Sequence, residues 1–167
     1  MKNITKIFAL AVVVLGFSAS TFAQSSETAS STATLVVPLS ISLTTDMDFG
    51  VVASSATAGT IVMSNAGAVS QTGGSSVISG STTTAVFHVT GEGSESISVA
   101  YPTTLSLAGS VSGALSLSSI AADCGNSTTL SSGAKDIKFS AVLNIPANTI
   151  AGVYSNATGL LVTVNYN

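Results

Sequence analysis

The sequence holds one histidine, His88, and one cysteine, Cys124, so chemistry built on a neutral-pH base or a ready nucleophile has to pass through these two side chains. His88 sits in "VFHVT", out of phase with Phe87 and Val89, which places it on the exposed side of a strand. A metal ligand or general base needs companions, and there is no second histidine to complete a site. Cys124, in "AADCGNS", has no second cysteine for an internal disulfide, so it is an unpaired thiol or one that bridges to another chain. As a nucleophile it would want a base beside it, and the sequence puts none there.

The other chemistry-bearing spacings are weaker. "SGAK", residues 132–135, has the Ser-x-x-Lys spacing of penicillin-recognising enzymes, but that motif opens a helix, whereas this one lies in a glycine-containing turn ahead of a strand and lacks the Ser-Asp-Asn and Lys-Thr-Gly companions. Asp46 and Asp48 in "TTDMDFG", with Glu92 and Glu95 as a second pair, offer carboxylates to calcium, which wants about six to eight oxygens from a shaped loop. Neither stretch has the spacing of such a loop, and aspartates in turns commonly bond their own backbone. Asn126-Ser-Thr and Asn156-Ala-Thr fit the N-glycosylation acceptor, which matters only in a eukaryotic secretory pathway. No catalytic, cofactor-binding or metal-binding residue is therefore expected, and no enzymatic activity.

The elements that would position these groups read as strands throughout. Charged residues make up 7% of the chain and hydrophobic ones 46%, the reverse of a disordered profile. Ser and Thr compete with the helical backbone, Val and Thr suit pleated surfaces, and Gly serves turns. The opening "MKNITKIFALAVVVLGFSASTFAQ" places Lys2 and Lys6 before an apolar run and small residues at Thr21 and Ala23, the layout of a secretory signal peptide cut after Ala23. Its apolar run, residues 7–17, falls short of the roughly 20 residues a bilayer crossing needs, so no transmembrane helix is expected in the mature chain. Beyond it only Lys135 and Lys138 are basic, there is no arginine, and all seven carboxylates remain. Nucleic acid and anionic membranes, both met through basic patches, are excluded as partners on this ground, and no small-molecule substrate is inferred.

After a polar lead-in, residues 24–33, one domain over residues 34–167 is expected. In "TLVVPLSISLTTD" Leu35, Val37, Leu39, Ile41 and Leu43 alternate with polar or opposite-face neighbours, the pattern of a strand, and Pro38 puts it at an edge or a change of partner. "MDFGVV", with Phe49 and Val51 in phase, and "GTIVMS" read as further strands. "AVFHVT" and "SISVAY" flank the turn "GEGSE" and are expected to pair as a hairpin. "TTLSLAGS" and "GALSLSSIA" follow, then a loop at "DCGNSTTLSSGA". "KDIKFSAVLNIP" alternates strictly at Ile137, Phe139, Ala141, Leu143 and Ile145. The closing "GVYSNATGLLVTVNYN" sends Leu160, Val162, Val164 and Tyr166 to one side as a half-buried final strand, with Tyr154 placed where a corner tyrosine pins the preceding turn. About nine short strands without a helical period predict an all-β, antiparallel, immunoglobulin-like sandwich, with a barrel as the lesser alternative.

Four stretches together, "ATLVVPLSISLTTDMDFGVV", "AGTIVMSNAG", "AVFHVTGEGSESISVAYP" and "IPANTIAGVYSNATGLLVTVNYN", resemble the domain-of-unknown-function 4402 family of secreted bacterial proteins. The ending is also similar to that of spore-coat-protein-U-like and chaperone-usher pilin subunits, whose incomplete immunoglobulin-like domains are completed by a strand of the next subunit. That resemblance implies a pilin-like fold, self-assembly or a periplasmic chaperone and usher as partners, and residues 35–43 as the donated strand. Two functions follow as expectations. One is a secreted, non-catalytic structural or surface protein, a fibre or coat subunit assembling by strand addition in the periplasm, at the cell surface or outside the cell. The other is a self-complete sandwich that binds a protein or carbohydrate ligand.

Overall fold

The computed structural model describes residues 25–156 and 158–167; the expected signal peptide, residues 1–23, lies outside them. The chain divides into two units, Met1–Thr34 and Leu35–Asn167. In the first, residues 25–34 are exposed and carry no regular structure. The second is all β. In chain order its strands are β1 (Ser40–Thr45), β2 (Val51–Ala53), β3 (Gly59–Met63), β4 (Val69–Gly73), β5 (Ser76–Ser79), β6 (Val86–Thr90), β7 (Ser96–Ala100), β8 (Leu105–Gly109), β9 (Ala114–Ala122), β10 (Ser127–Thr129), β11 (Ala134–Ile145), β12 (Tyr154–Ser155) and β13 (Thr163–Tyr166).

All pairings are antiparallel. The large sheet follows the path β1-β6-β11-β9-β8-β12, with β3 also on β11 and β4 on β3; β10-β7-β13 form a second sheet and β2-β5 a separate pair. β11 organises the molecule because its length lets one edge carry β6 and then β3, while the other carries β9. Its inward side chains, Ile137, Phe139, Ala141, Leu143 and Ile145, are at most 4% exposed. Ile97 and Val99 of β7 and Val162 beside β13 are buried in the same core, giving a sandwich arrangement. Phe139 meets Phe87 edge-on at 5.6 Å and Tyr101 at 5.1 Å, the favoured geometry for aromatic pairs. In β9 a bulge opposite β11, with Ser119 at φ 52°, shifts the inward phase from Leu115 and Leu117 to Ile120 and Ala122.

Among the described residues the strands number thirteen where about nine were expected, because short pieces such as β4, β5, β10 and β12 carry too few residues to show a period. β10 lies inside the stretch read as a loop. The expected hairpin of β6 with β7 does not form: β6 pairs with β1 and β11, β7 with β10 and β13. The turn between them is captured by neighbours instead, Gly91 N–H donating to Gly133 O at 2.9 Å and Leu130 N–H to Glu95 O at 3.0 Å, so the chain crosses between sheets. Phe49 is buried but Val51 is 55% exposed, because Gly50 at φ 72° turns the backbone between them. The five-residue alternation of 35–43 is not one strand. β1 begins only at Ser40, beyond Pro38, which offers no N–H, and a register shift between Leu43 and Thr45 breaks the phase again. Among the described residues no helix is long and apolar enough to cross a membrane.

Candidate functional site

The structure gives His88 a partner that the sequence hid. Ser42, His88 and Asp136 face one another across β1, β6 and β11, and His88 Nδ1 lies 2.6 Å from Asp136 Oδ1, from 48 residues away in the chain. The face is open, with side chains 44% and 57% exposed. The Ser42 hydroxyl donates to the His88 carbonyl oxygen at 3.5 Å and is thus committed to backbone, whereas a hydrolytic triad needs it on the imidazole. Cys124 is half-buried; burial first, and then the Asp123 carboxylate, hold its thiol above the ordinary pKa, which keeps it protonated and poorly nucleophilic near neutrality.

Of the acidic pairs, Asp48 serves its own turn. Asp48 Oδ1 accepts the Gly50 N–H at 2.8 Å, and its backbone bridges to Thr83. Among the described residues no group of three or more His, Cys, Asp or Glu side chains converges to hold a metal ion. Ser132 and Gly133 both sit at positive φ, in the turn that leads into β11. Asn156 uses its amide on the Ser106 carbonyl and its side-chain oxygen on Thr158, fixing its loop against β8.

A concavity of about 1100 Å³ forms an apolar groove. Its floor is the inner face of β8, β9 and β11: Leu105, Leu107, Leu115, Leu117, Leu143 and Ile145. One rim is residues 46–54, held by the Asp48–Thr83 bridge and the β2-β5 pair; the other is residues 149–156 and 158–160, held on β8 through β12, Ser110 and Asn156. Hydrogen bonds join the rims at one end, Ser54 Oγ to Thr149 O at 2.9 Å and Asn148 N–H to Ser55 O at 2.8 Å. Elsewhere the groove wall is greasy and open: Leu43, Val51, Ile150 and Val153 all line it and are 51%, 55%, 57% and 72% exposed. Sequence reasoning missed the groove because its floor joins the weak Leu-Ser strands to the end of β11 and its rims join the short strand read at "MDFGVV" to the turn and lead-in of the closing strand, distant stretches that no local pattern brings together.

The predicted strand residues fall at both ends of this region. Leu160 lines the groove, Val162 is buried, and Val164 and Tyr166 are half-buried in β13, an edge strand that pairs only with β7 among the described residues. At the other end Leu35 is 89% and Val37 52% exposed, Leu39 and Ile41 are half-buried, and Leu43 reaches the groove. Val37 is held sideways. Its N–H donates to Glu92 Oε2 at 3.0 Å, and its carbonyl accepts the Tyr166 hydroxyl at 2.6 Å, which in turn accepts the Glu92 N–H at 2.6 Å. Tyr154 donates its hydroxyl to Ile150 O at 2.7 Å, closing the turn ahead of β12.

The sequence model of the family described as a domain of unknown function (DUF4402) matches residues 39–166, which is most of the chain. The chain belongs to the DUF4402 family. In this DUF4402 chain the matched stretch holds every strand, both groove rims and the floor, whereas Leu35 and Val37 lie ahead of it. No curated protein and no solved structure matches the DUF4402 chain.

Proposed function

We propose that this protein is a secreted, non-catalytic structural subunit, of a fibre, coat or cell-surface layer, whose copies join when residues 35–43 of one add as a strand to the groove of the next. The observation that carries this is the open apolar groove, whose lining runs as far as Leu160, just ahead of β13. Burial supplies the driving force for the exchange. At home the segment buries none of its five apolar side chains fully, and Leu35, Val37 and Leu43 are more than half exposed. Full burial of an exposed side chain of this kind is worth about 1.5–3 kcal/mol, less for those already half covered, and ladder bonds lost on β6 are remade on the receiving copy; these gains act against the roughly 4–15 kcal/mol that association costs in lost freedom. The similarity of the ending to pilin subunits supports the same reading, and with it a periplasmic chaperone and usher as assembly partners.

The test compares the chain lacking residues 24–44 with the chain retaining them, by light scattering over a wide concentration range. Assembly is expected only when the segment is present, and Leu107→Glu, which puts a charge on the groove floor, should abolish it while leaving a folded monomer. A protein that stays monomeric at every concentration, with a truncated form that merely unfolds, would make 35–43 an ordinary internal strand. A second reading, a self-complete module that takes an extended apolar peptide of another protein in the groove, is favoured by the β1-β6 pairing within one chain.

A further inference from the structure

We infer that the contact of Val37 with Glu92 and Tyr166 is a clasp that decides whether residues 35–43 stay on their own domain or leave it. The consequence for assembly rests on the strand-addition reading above; the clasp itself does not. Val37 lies outside any ladder, yet both its backbone groups are satisfied, by a carboxylate from the β6-β7 connection and a phenol from β13. The phenol is doubly used, since the Glu92 N–H donates to the same oxygen. The neighbouring backbone leaves room for it: a Cβ on Gly91 would come within 2.5 Å of the phenol oxygen and 2.8 Å of Leu39 Cδ2.

The position of the clasp gives it control. Pro38 follows it and has no N–H, so Val37 is the last anchored residue before the ladder begins at Ser40. Ahead of it, Leu35 and Val36 are 89% and 55% exposed. Behind it, β1 is an edge strand held by β6 alone. Peeling β1 from its N-terminal side therefore begins with breaking two hydrogen bonds at Val37. The same tyrosine ends β13, whose ladder with β7 runs through Tyr166 and is continued by Asn167 N–H to Ser96 O at 3.1 Å, so releasing the segment frees the phenol while the strand itself stays paired.

The experiment is native-state amide hydrogen exchange on the purified protein and on Tyr166→Phe, which deletes only the hydroxyl, with Gly91→Ala as a second variant that displaces the phenol without removing it. The expected result for both is exchange about tenfold faster in β1, with β9 and β11 unchanged. Exchange in β1 equal to the parent in both variants, or a rise shared equally by β9 and β11, overturns the clasp. Light scattering on the same samples separates the two ideas. Faster β1 exchange in protein that never associates keeps the clasp and removes strand addition; association through 35–43 in the parent with unaltered β1 exchange in the variants keeps strand addition and removes the clasp.

Discussion

β11 and the segment 35–43 carry the same message in sequence, five apolar residues at every second position, and meet opposite fates. In β11 all five are at most 4% exposed; in 35–43 none is buried. Chain chemistry does not explain the difference, since Leu and Ile serve in both. Neighbours do: β11 is flanked by β6, β3 and β9 and covered by the second sheet, whereas β1 has β6 on one side only and Val37 is drawn out of the ladder altogether. Alternation states which face of a strand is apolar; it does not state that anything covers that face.

The largest effect that sharpens this contrast is Phe139→Ala. Phe139 is fully buried and in edge-on contact with Phe87 and Tyr101, so its truncation removes both aromatic contacts and leaves a cavity. A loss of about 3–5 kcal/mol is expected by urea unfolding, with the slope unchanged. A loss below about 1 kcal/mol would mean that β11 is not the covered strand described here.

The same contrast explains what the sequence reveals. The fold class is legible because β3, β6, β7 and β11 keep their period from end to end and each has a buried inward face. Partner choice is not. The turn "GEGSE" has every local feature of a hairpin, yet Gly91 and Glu95 bond to Gly133 and Leu130, contacts that no local reading contains. The groove escapes for the same reason, as do the Asp136 partner of His88 and the Tyr166 hold on Val37, 129 residues away. The Tyr154 hydrogen bond, spanning four residues, was readable from the ending alone.

That difference between local and distant bonds sets the next effects. Tyr154→Phe deletes one hydroxyl that closes its own turn, and a loss of about 1 kcal/mol is expected, read in the same unfolding series. His88→Ala breaks the hydrogen bond to Asp136 on an open face, and the expected loss is under about 1 kcal/mol. A larger loss would give the His88–Asp136 pair a role beyond the surface. Cys124 adds a pH dependence. Because burial raises its pKa in the folded chain, its contribution is complete below the unfolded value, 9.0, and is lost as pH rises through the folded one. Stability should therefore fall in that alkaline range, and Cys124→Ser should flatten the fall.

The smallest expected effect on stability is the most informative about the segment. Leu35→Ser changes a side chain that is 89% exposed, so the monomer's unfolding midpoint should move by no more than about 0.5 kcal/mol. The matching change in β11, Leu143→Ser, alters a residue that is 3% exposed and should unfold the protein or come close to it. If strand addition joins the copies, Leu35→Ser nonetheless weakens association, because the side chain that is idle in the monomer becomes one of those covered in the assembly. A substitution without effect on the monomer and with a clear effect on association locates the missing cover of the segment in a second molecule. Were Leu35→Ser silent in both measurements, the apolar half of the pattern at 35–37 would be surface, and the comparison with β11 would end at Ser40.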